Sequence, residues 1–418
     1  MSVRLTFLIL VLVLCCCTRP GPRTSDPKNE VKVSTAGSDP AEPAITADAD
    51  GNIYVLYVDH AADKTADLYL QKLDSNLKQI AERVRINPEP GIVKSWAGDS
   101  PTVAIAPDRS IYVGWTTRAG EGTNYVASVS HDDGTTFSPP TKINDDVAPA
   151  SHGMHSLAVG NDGTIYAAWL DERNIQKGHE MGSVNSSDDE GFHFVKIDHK
   201  GPESTQAPEP NSEVFFAFSK DGGKSFSKNQ KLSNDVCPCC KTAVTTDESG
   251  RVYVSWRQVL EGDHRHIAIA ASADGGEAFS PRAIVSDDKW QIAACPVSGA
   301  AIRATASELN ALWYTAGSEG QAGYYTAKST DGGAKFGTRI LVSGDAASGT
   351  PALLKTDSGM TLVYQGEDNR TIVFSANQGT RSTIDGANNP SAVSANGATY
   401  VAFVRKENKT RSVWIAKR

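Results

Sequence analysis

The chain has 418 residues, 39% of them hydrophobic and 22% charged, with a formal net charge of -8. That composition buries one large core or several small ones, and its acidic balance excludes the basic face that nucleic-acid binding requires. The 36 glycines against 4 methionines favour many short strands joined by tight turns.

In chain order, the first element reads as a leader. Arg4 precedes an apolar run from Leu5 to Leu14, roughly half the length a membrane span needs. The stretch Leu14-Cys15-Cys16-Cys17 resembles the bacterial lipobox. That resemblance implies a signal peptide over residues 1–17 and acylation at Cys17. It further implies a place in the bacterial cell envelope, facing the periplasm or exterior, with membrane contact through the lipid alone. Residues 18–29 read as a disordered tether, and 30–418 as one domain. Export places Cys237, Cys239, Cys240 and Cys295 in an oxidising compartment, where an even number permits disulfides.

From residue 30 onward one pattern recurs: a short apolar strand, a Gly/Asp/Asn turn and an aromatic-ended strand. It reads PAITADADGNIYVLY, PTVAIAPDRSIYVGW, HSLAVGNDGTIYAAW, TAVTTDESGRVYVSW and AAIRATASELNALWY, with weaker copies PALLKTDSGMTLVY and PSAVSANGATYVAF. Alternation and β-branched or aromatic enrichment mark each half as a strand. A third and a fourth strand follow in each copy, so units begin near residues 43, 101, 155, 242, 299, 351 and 390. The expected fold is all-β, a propeller of six or seven four-stranded antiparallel blades, with seven counted. The last unit has three strands of its own. Residues 30–35 (EVKVST) are expected to supply its fourth, closing the ring and removing an open edge.

Between third and fourth strands an octapeptide recurs as SHDDGTTF, SKDGGKSF, SADGGEAF and STDGGAKF. Its fixed positions are Ser130, Asp132, Gly134 and Phe137, then Ser219, Asp221, Gly223 and Phe226. They recur as Ser272, Asp274, Gly276 and Phe279, and as Ser329, Asp331, Gly333 and Phe336. The carboxylate accepts turn amides, glycine supplies positive φ, and phenylalanine packs back between strands. This is similar to the Asp box, or BNR repeat, of the sialidase-like superfamily, a structural signature. Six blades are usual there, so seven is a departure.

Blade geometry puts first-strand starts and second-strand ends on one axial face, where the resemblance places ligands. The insertion at 174–213 reads as a surface loop over that face. His152 stands 17 residues before Trp169, Cys239 17 before Trp256, and Cys295 18 before Trp313. With Met154, His155, Cys237 and Cys240 beside them, these residues form a candidate site for copper or zinc. A disulfide from Cys295 to Cys237 or Cys239 is the alternative use of the same sulfurs. A glycan, a metal or a protein is the expected partner on this face.

Second strands end in WTTR (Arg118), WLDER, WRQ and WYT. The sialidase resemblance implies Arg173 and Arg257 as grips on a substrate carboxylate, Tyr314 as nucleophile, and Asp171 or Glu172 as acid or base. The sialidase F/Y-R-I-P motif is absent, Val84-Arg85-Ile86-Asn87 being the nearest string. SHGMH, WLDER, CPCC and CPVSG together resemble an uncharacterised bacterial group of sialidase-like, BNR-repeat proteins. The expectation is an envelope-anchored propeller that binds a ligand or soft metal, with exo-sialidase action and a protein-interaction scaffold as competing readings.

Overall fold

The computed structural model describes residues 29–35, 39–175, 211–292, 296–347, 349–357, 359–408 and 410–418. Cys17 and the leader, residues 18–28 of the tether, most of the 174–213 insertion and Cys295 lie outside the described residues.

Among the described residues the chain forms seven four-stranded antiparallel units. The first runs Asp39–Ala47, Ile53–His60, Ala66–Leu73 and Val84–Arg85; the second Thr102–Ile105, Ile111–Ala119, Gly122–Ser130 and Thr141–Lys142. The third is His152–Val159, Ile165–Asp171, Ser212–Ser219 and Gln230–Val236; the fourth Ala243–Thr246, Val252–Leu260, His264–Ser272 and Ala283–Ile284. A single pairing, Val236 with Gln258, fuses these two into one eight-stranded sheet. The fifth is Ala301–Ala304, Leu309–Thr315, Gly323–Ser329 and Ile340–Ser343; the sixth Ala352–Thr356, Gly359–Gly366, Arg370–Ser375 and Thr380–Asp385. The seventh contributes Asn388–Ala395, Ala398–Glu407 and Thr410–Lys417, and Glu30–Lys32 pairs with its outer strand as the fourth.

Second strands read as near-continuous apolar runs because both of their faces are covered. IYVLYV, IYVGWT and IYAAWLD are buried residue after residue. Each unit shares a core with the next. Leu56 and Val58 pack with Val113 and Trp115, Tyr125 with Trp169, and Phe216 with Trp256. The same holds between Tyr253 and Trp313, Tyr324 and Tyr364, and Val363 and Phe403. First and seventh units also share one, in which Tyr57 and Leu73 meet Tyr400 and Val413. Truncating a buried Trp to Ala in such a core costs about 3–5 kcal/mol.

The octapeptides are staples between units. In each, the serine hydroxyl donates to the aspartate carboxylate at 2.6–2.8 Å and accepts the glycine amide at 2.8–3.0 Å. The aspartate also accepts an amide four residues on, at 2.9–3.0 Å. Phe279 then packs edge-on against Phe216 of the preceding unit, ring centroids 4.8 Å apart. Gly276 has φ +94°, and a Cβ there would meet the Phe216 ring at 2.8 Å. Only glycine meets both demands.

Glu30 anchors the N-terminal strand. Its nearly buried carboxylate accepts from Arg405 at 2.9 Å and from Arg418 at 2.5 Å. Ser34 Oγ accepts the Val413 amide at 3.0 Å.

Candidate functional site

The second strands of the second to fifth units carry fully buried tryptophans whose indole N–H needs an acceptor. Trp169 donates to Asp171 Oδ2 at 2.8 Å, and Trp256 donates to Gln258 Oε1 at 2.8 Å. Asp171 thus occupies the position that Gln258 holds one unit later. It is fully buried and also accepts from Arg173, through the backbone N–H at 2.9 Å, Nε at 3.0 Å and Nη2 at 2.8 Å. Burial opposes the charge, but bonds to His152 and Arg173 hold the carboxyl well below its usual range. An aspartate so placed stays ionised and is committed to the fold.

Arg173 is equally committed. It reaches Asp145 Oδ1 at 2.6 Å and Asn229 Oδ1 at 2.8 Å, and lies over the Phe215 ring at 4.3 Å. His152 joins this corner. Nδ1 donates to the Thr123 carbonyl at 2.5 Å, and Nε2 faces Asp146 at 3.1 Å and Asp171 at 3.3 Å. Burial disfavours its charge, yet Asp171, the Thr123 carbonyl and Asp146 hold the imidazole above its usual range. Glu172 is half-buried beside this corner, its N–H on the Ser151 carbonyl at 3.1 Å.

Arg257 is fully buried. It donates to the Ser298 carbonyl through Nε at 3.0 Å and Nη2 at 2.9 Å, and to the Tyr314 carbonyl at 2.9 Å. Its guanidinium lies 4.9 Å over Trp290. Tyr314 packs edge-on against Trp290, and burial, with Glu367 nearby, pushes its phenol up, away from nucleophile character. Arg118 is exposed and spends Nη2 on the Lys64 carbonyl at 2.6 Å. The residues that the sialidase resemblance nominates are therefore split into two interior networks, with their donors taken by the protein itself.

The cysteine loop is different. Cys237 N–H bonds the Arg257 carbonyl at 2.9 Å, and Cys240 N–H closes a turn on the Cys237 carbonyl at 3.4 Å. Thr242 N–H and Oγ1 both reach the Met154 carbonyl at 2.9 Å. Met154 sits at φ +50° in a β-bulge of the third unit's first strand and shares a core with the cysteines. Cys240 Sγ donates to Cys237 Sγ at 3.5 Å, and Cys237 Sγ stands 3.9 Å from Cys239 Sγ. All three sulfurs lie within 4.8 Å of one another. Neither His152 nor His155 joins that set, which corrects the sequence expectation: His152 is drawn off by Asp146 and Asp171. Cys239 is disulfide-bonded, whereas Cys237 and Cys240 are free thiols. The Cys240 hydrogen bond, against burial and with help from Arg265 and Arg257, brings the Cys237 thiol down to about 6. Burial and its neighbour push Cys240 up.

A cavity of about 280 Å³ adjoins this loop, and all seven units or the residues leading into them line it. Ala44, Thr102, Leu157, Ala352 and Ser391 contribute walls, Lys241 the one charge, and Val297 both lines the cavity and packs on the cysteine core. Burial brings the Lys241 ammonium down to about 8; its partners are the Ser100 carbonyl and Asp99, Oδ1 at 3.9 Å. Asp99 also accepts the His155 amide at 3.2 Å. The His155 ring stacks on Tyr125 at 4.5 Å.

No protein-family model and no curated protein matches the sequence. Solved structures do resemble it. A protein of unknown function from Dyadobacter fermentans is 16% identical with a TM-score of 0.52, over 96% of this chain and 99% of that one. A polysaccharide lyase of family PL25, an ulvan lyase bound to -[GlcA(1-4)Rha3S]-, is 12% identical with a TM-score of 0.52, over 82% and 80%. A Hadza microbial sialidase, Hz136, is 14% identical over 84% and 73%, at a TM-score of 0.48. The first two likenesses establish a shared fold.

Asp99, Asp145, Asp146, Asn229, Arg265 and Lys241 escaped the sequence reading, because their partners belong to neighbouring units. Only Lys241 carried a local signal, standing directly after CPCC.

Stability should register the buried histidine. Burial brings His155 down to about 4, against about 6.5 in the unfolded chain. The unfolded chain binds more protons in that window, so the stability His155 confers is present above pH 6.5 and lost as pH falls toward 4. The loss amounts to roughly 3 kcal/mol. His152, shifted upward, acts in the opposite sense and only above pH 6.5. Urea midpoints of the parent should therefore fall between pH 7 and 4.5, and those of His155→Gln should fall less. Equal slopes would contradict the assignment.

Proposed function

We propose that the chain is a sialidase-like, seven-bladed propeller, closed through its N-terminal strand, that binds a thiophilic metal ion of the copper(I) or zinc type at Cys237, Cys240 and, in the reduced chain, Cys239. Closure is supported by the pairing of Glu30–Lys32 with the last unit and by the core that first and last units share. The observation that carries the metal reading is the sulfur geometry. A metal bonded to two sulfurs at about 2.3 Å holds them roughly 3.8 Å apart in a tetrahedral arrangement. The separations of 3.5 and 3.9 Å bracket that value. Soft thiolates select copper(I) and zinc over hard cations. Arg257 balances the negative charge of thiolate ligation: among the described residues it meets carbonyls and an aromatic ring but no carboxylate. Val297 lines the cavity and packs on the core that holds the cysteines.

Hydrolysis of sialosides is not favoured, since Arg173 and Arg257 are bonded internally and Asp171 is sealed from solvent. Glycan binding in the shared cavity remains the competing use of this face, by analogy with the ulvan lyase.

Reduced full chain should bind about one equivalent of copper(I) or zinc, measured by metal analysis after desalting. The Cys237→Ser, Cys240→Ser double variant should bind none while keeping its β-sheet circular dichroism. Stoichiometric metal in that folded variant would overturn the site.

We also propose that Cys17 is acylated and ties the propeller to the envelope. Stable anchoring takes more than one acyl chain, which lipoprotein processing supplies. On cell fractionation the parent should pellet with membranes and Cys17→Ser should not. A parent already free of membranes would exclude the anchor.

A further inference from the structure

Strand register gives the seven units equivalent positions, and these grade the shared cavity from polar to apolar. In each unit one first-strand residue pairs with the residue just before the large aromatic of the second strand. Ala44 pairs with Leu56, Thr102 with Gly114, Ala243 with Ser255, Ala352 with Val363 and Ser391 with Ala402. Two positions earlier, Ser100, Lys241, Thr350 and Asn389 line the cavity with polar side chains. One position earlier the lining is proline in four units, Pro43, Pro101, Pro351 and Pro390. One position beyond the paired residue it is Ile45, Val103 and Leu157.

The polar level carries two charged residues, and only one serves the cavity. Glu42, the first unit's member, is buried against His60 Nε2 at 2.5 Å. Lys241 remains, its side chain 13% exposed. Among the described residues its ammonium donates one hydrogen bond, to the Ser100 carbonyl. Asp99 Oδ1 stands 3.9 Å away, beyond hydrogen-bond reach, and accepts the His155 amide instead. An ammonium has three donors, and a charge this far from water is costly until it is paired and hydrogen-bonded.

We propose that the cavity binds a small aliphatic monocarboxylate, its head on Lys241 and its chain against the prolines and the aliphatic residues beyond them. This site stands apart from the metal reading. Asp99 limits the ligand to one negative charge, since a dianion would add repulsion that a single ammonium does not offset. Three residues of extended strand, about 10 Å, separate the Lys241 level from that of Leu157. With a volume of about 280 Å³ the cavity lies at the low end of small-molecule sites. A sugar ring fits less well, because each hydroxyl it buries needs a partner. Gln365, also in the wall, has its amide committed to the Arg370 carbonyl at 3.0 Å and the Asn389 N–H at 3.1 Å. The Thr102 hydroxyl is turned to the Gly114 carbonyl at 3.4 Å.

Calorimetric titration of hexanoate into the chelator-treated full chain at pH 7 tests this. Hexanoate should bind at one site, and affinity should rise from acetate to hexanoate by about threefold per methylene. Hexan-1-ol and hexylamine, which keep the chain and change the head, should bind at least about tenfold more weakly. Lys241→Met keeps the apolar stem and removes the charge; it should lose about the same factor for hexanoate and leave hexan-1-ol unchanged. Should that variant fail to fold, the series of heads and chain lengths on the parent decides alone. Acetate or hexylamine binding as tightly as hexanoate, glucuronate binding more tightly, or no hexanoate bound by folded parent would each overturn the proposal. Because every titration omits metal, none of these outcomes bears on the cysteine site.

Discussion

A four-stranded sheet that is apolar on both faces must be covered twice, and the organisation of this protein follows from that need. Second strands such as IYVLYV and IYAAWLD carry no solvent-facing side. Each sheet is covered by its two neighbours, and the terminal units by each other. The burden falls on residues far apart in sequence, such as Tyr57 against Tyr400 and Glu30 against Arg405. Glu30 and its two arginines hold a short, partly exposed strand where an open edge would otherwise invite pairing with another chain.

That packing also fixes the cysteine loop. Its backbone is held by Met154 of the third unit and Arg257 of the fourth, and the Ser298 amide before the fifth donates to Cys240 Sγ. Three units thus position three sulfurs, while the arginine that holds Ser298 supplies the nearby positive charge. The positive φ of Met154 and of Val297, a β-branched residue rarely found there, is sustained by the same junction. Strain of this kind persists where surrounding structure over-determines it, and it gathers at ligand sites.

Repetition made the fold legible. Seven copies of one strand-turn-strand pattern and four octapeptides carry unit number, strand order and turn chemistry, and the structure follows them strand for strand. The site was legible in part. CPCC was visible as a concentration of sulfur, but equal spacing to the tryptophans did not bring His152 to it. Spacing records height along a strand, whereas side-chain direction depends on bulges and on partners in the adjoining unit. WLDER looked chemical for a related reason. Its aspartate is an indole acceptor, as Gln258 is, and that equivalence appears only once Trp169 and Trp256 are seen buried with their N–H groups in need of a partner.

The central claim is that three sulfurs on one loop make a metal centre where the third, fourth and fifth units meet. X-ray absorption at the copper K-edge, on reduced full chain loaded with one equivalent of copper(I), tests it most directly. The account predicts a first shell of sulfur alone, at roughly 2.3 Å. A shell dominated by nitrogen or oxygen would place the metal elsewhere and contradict it.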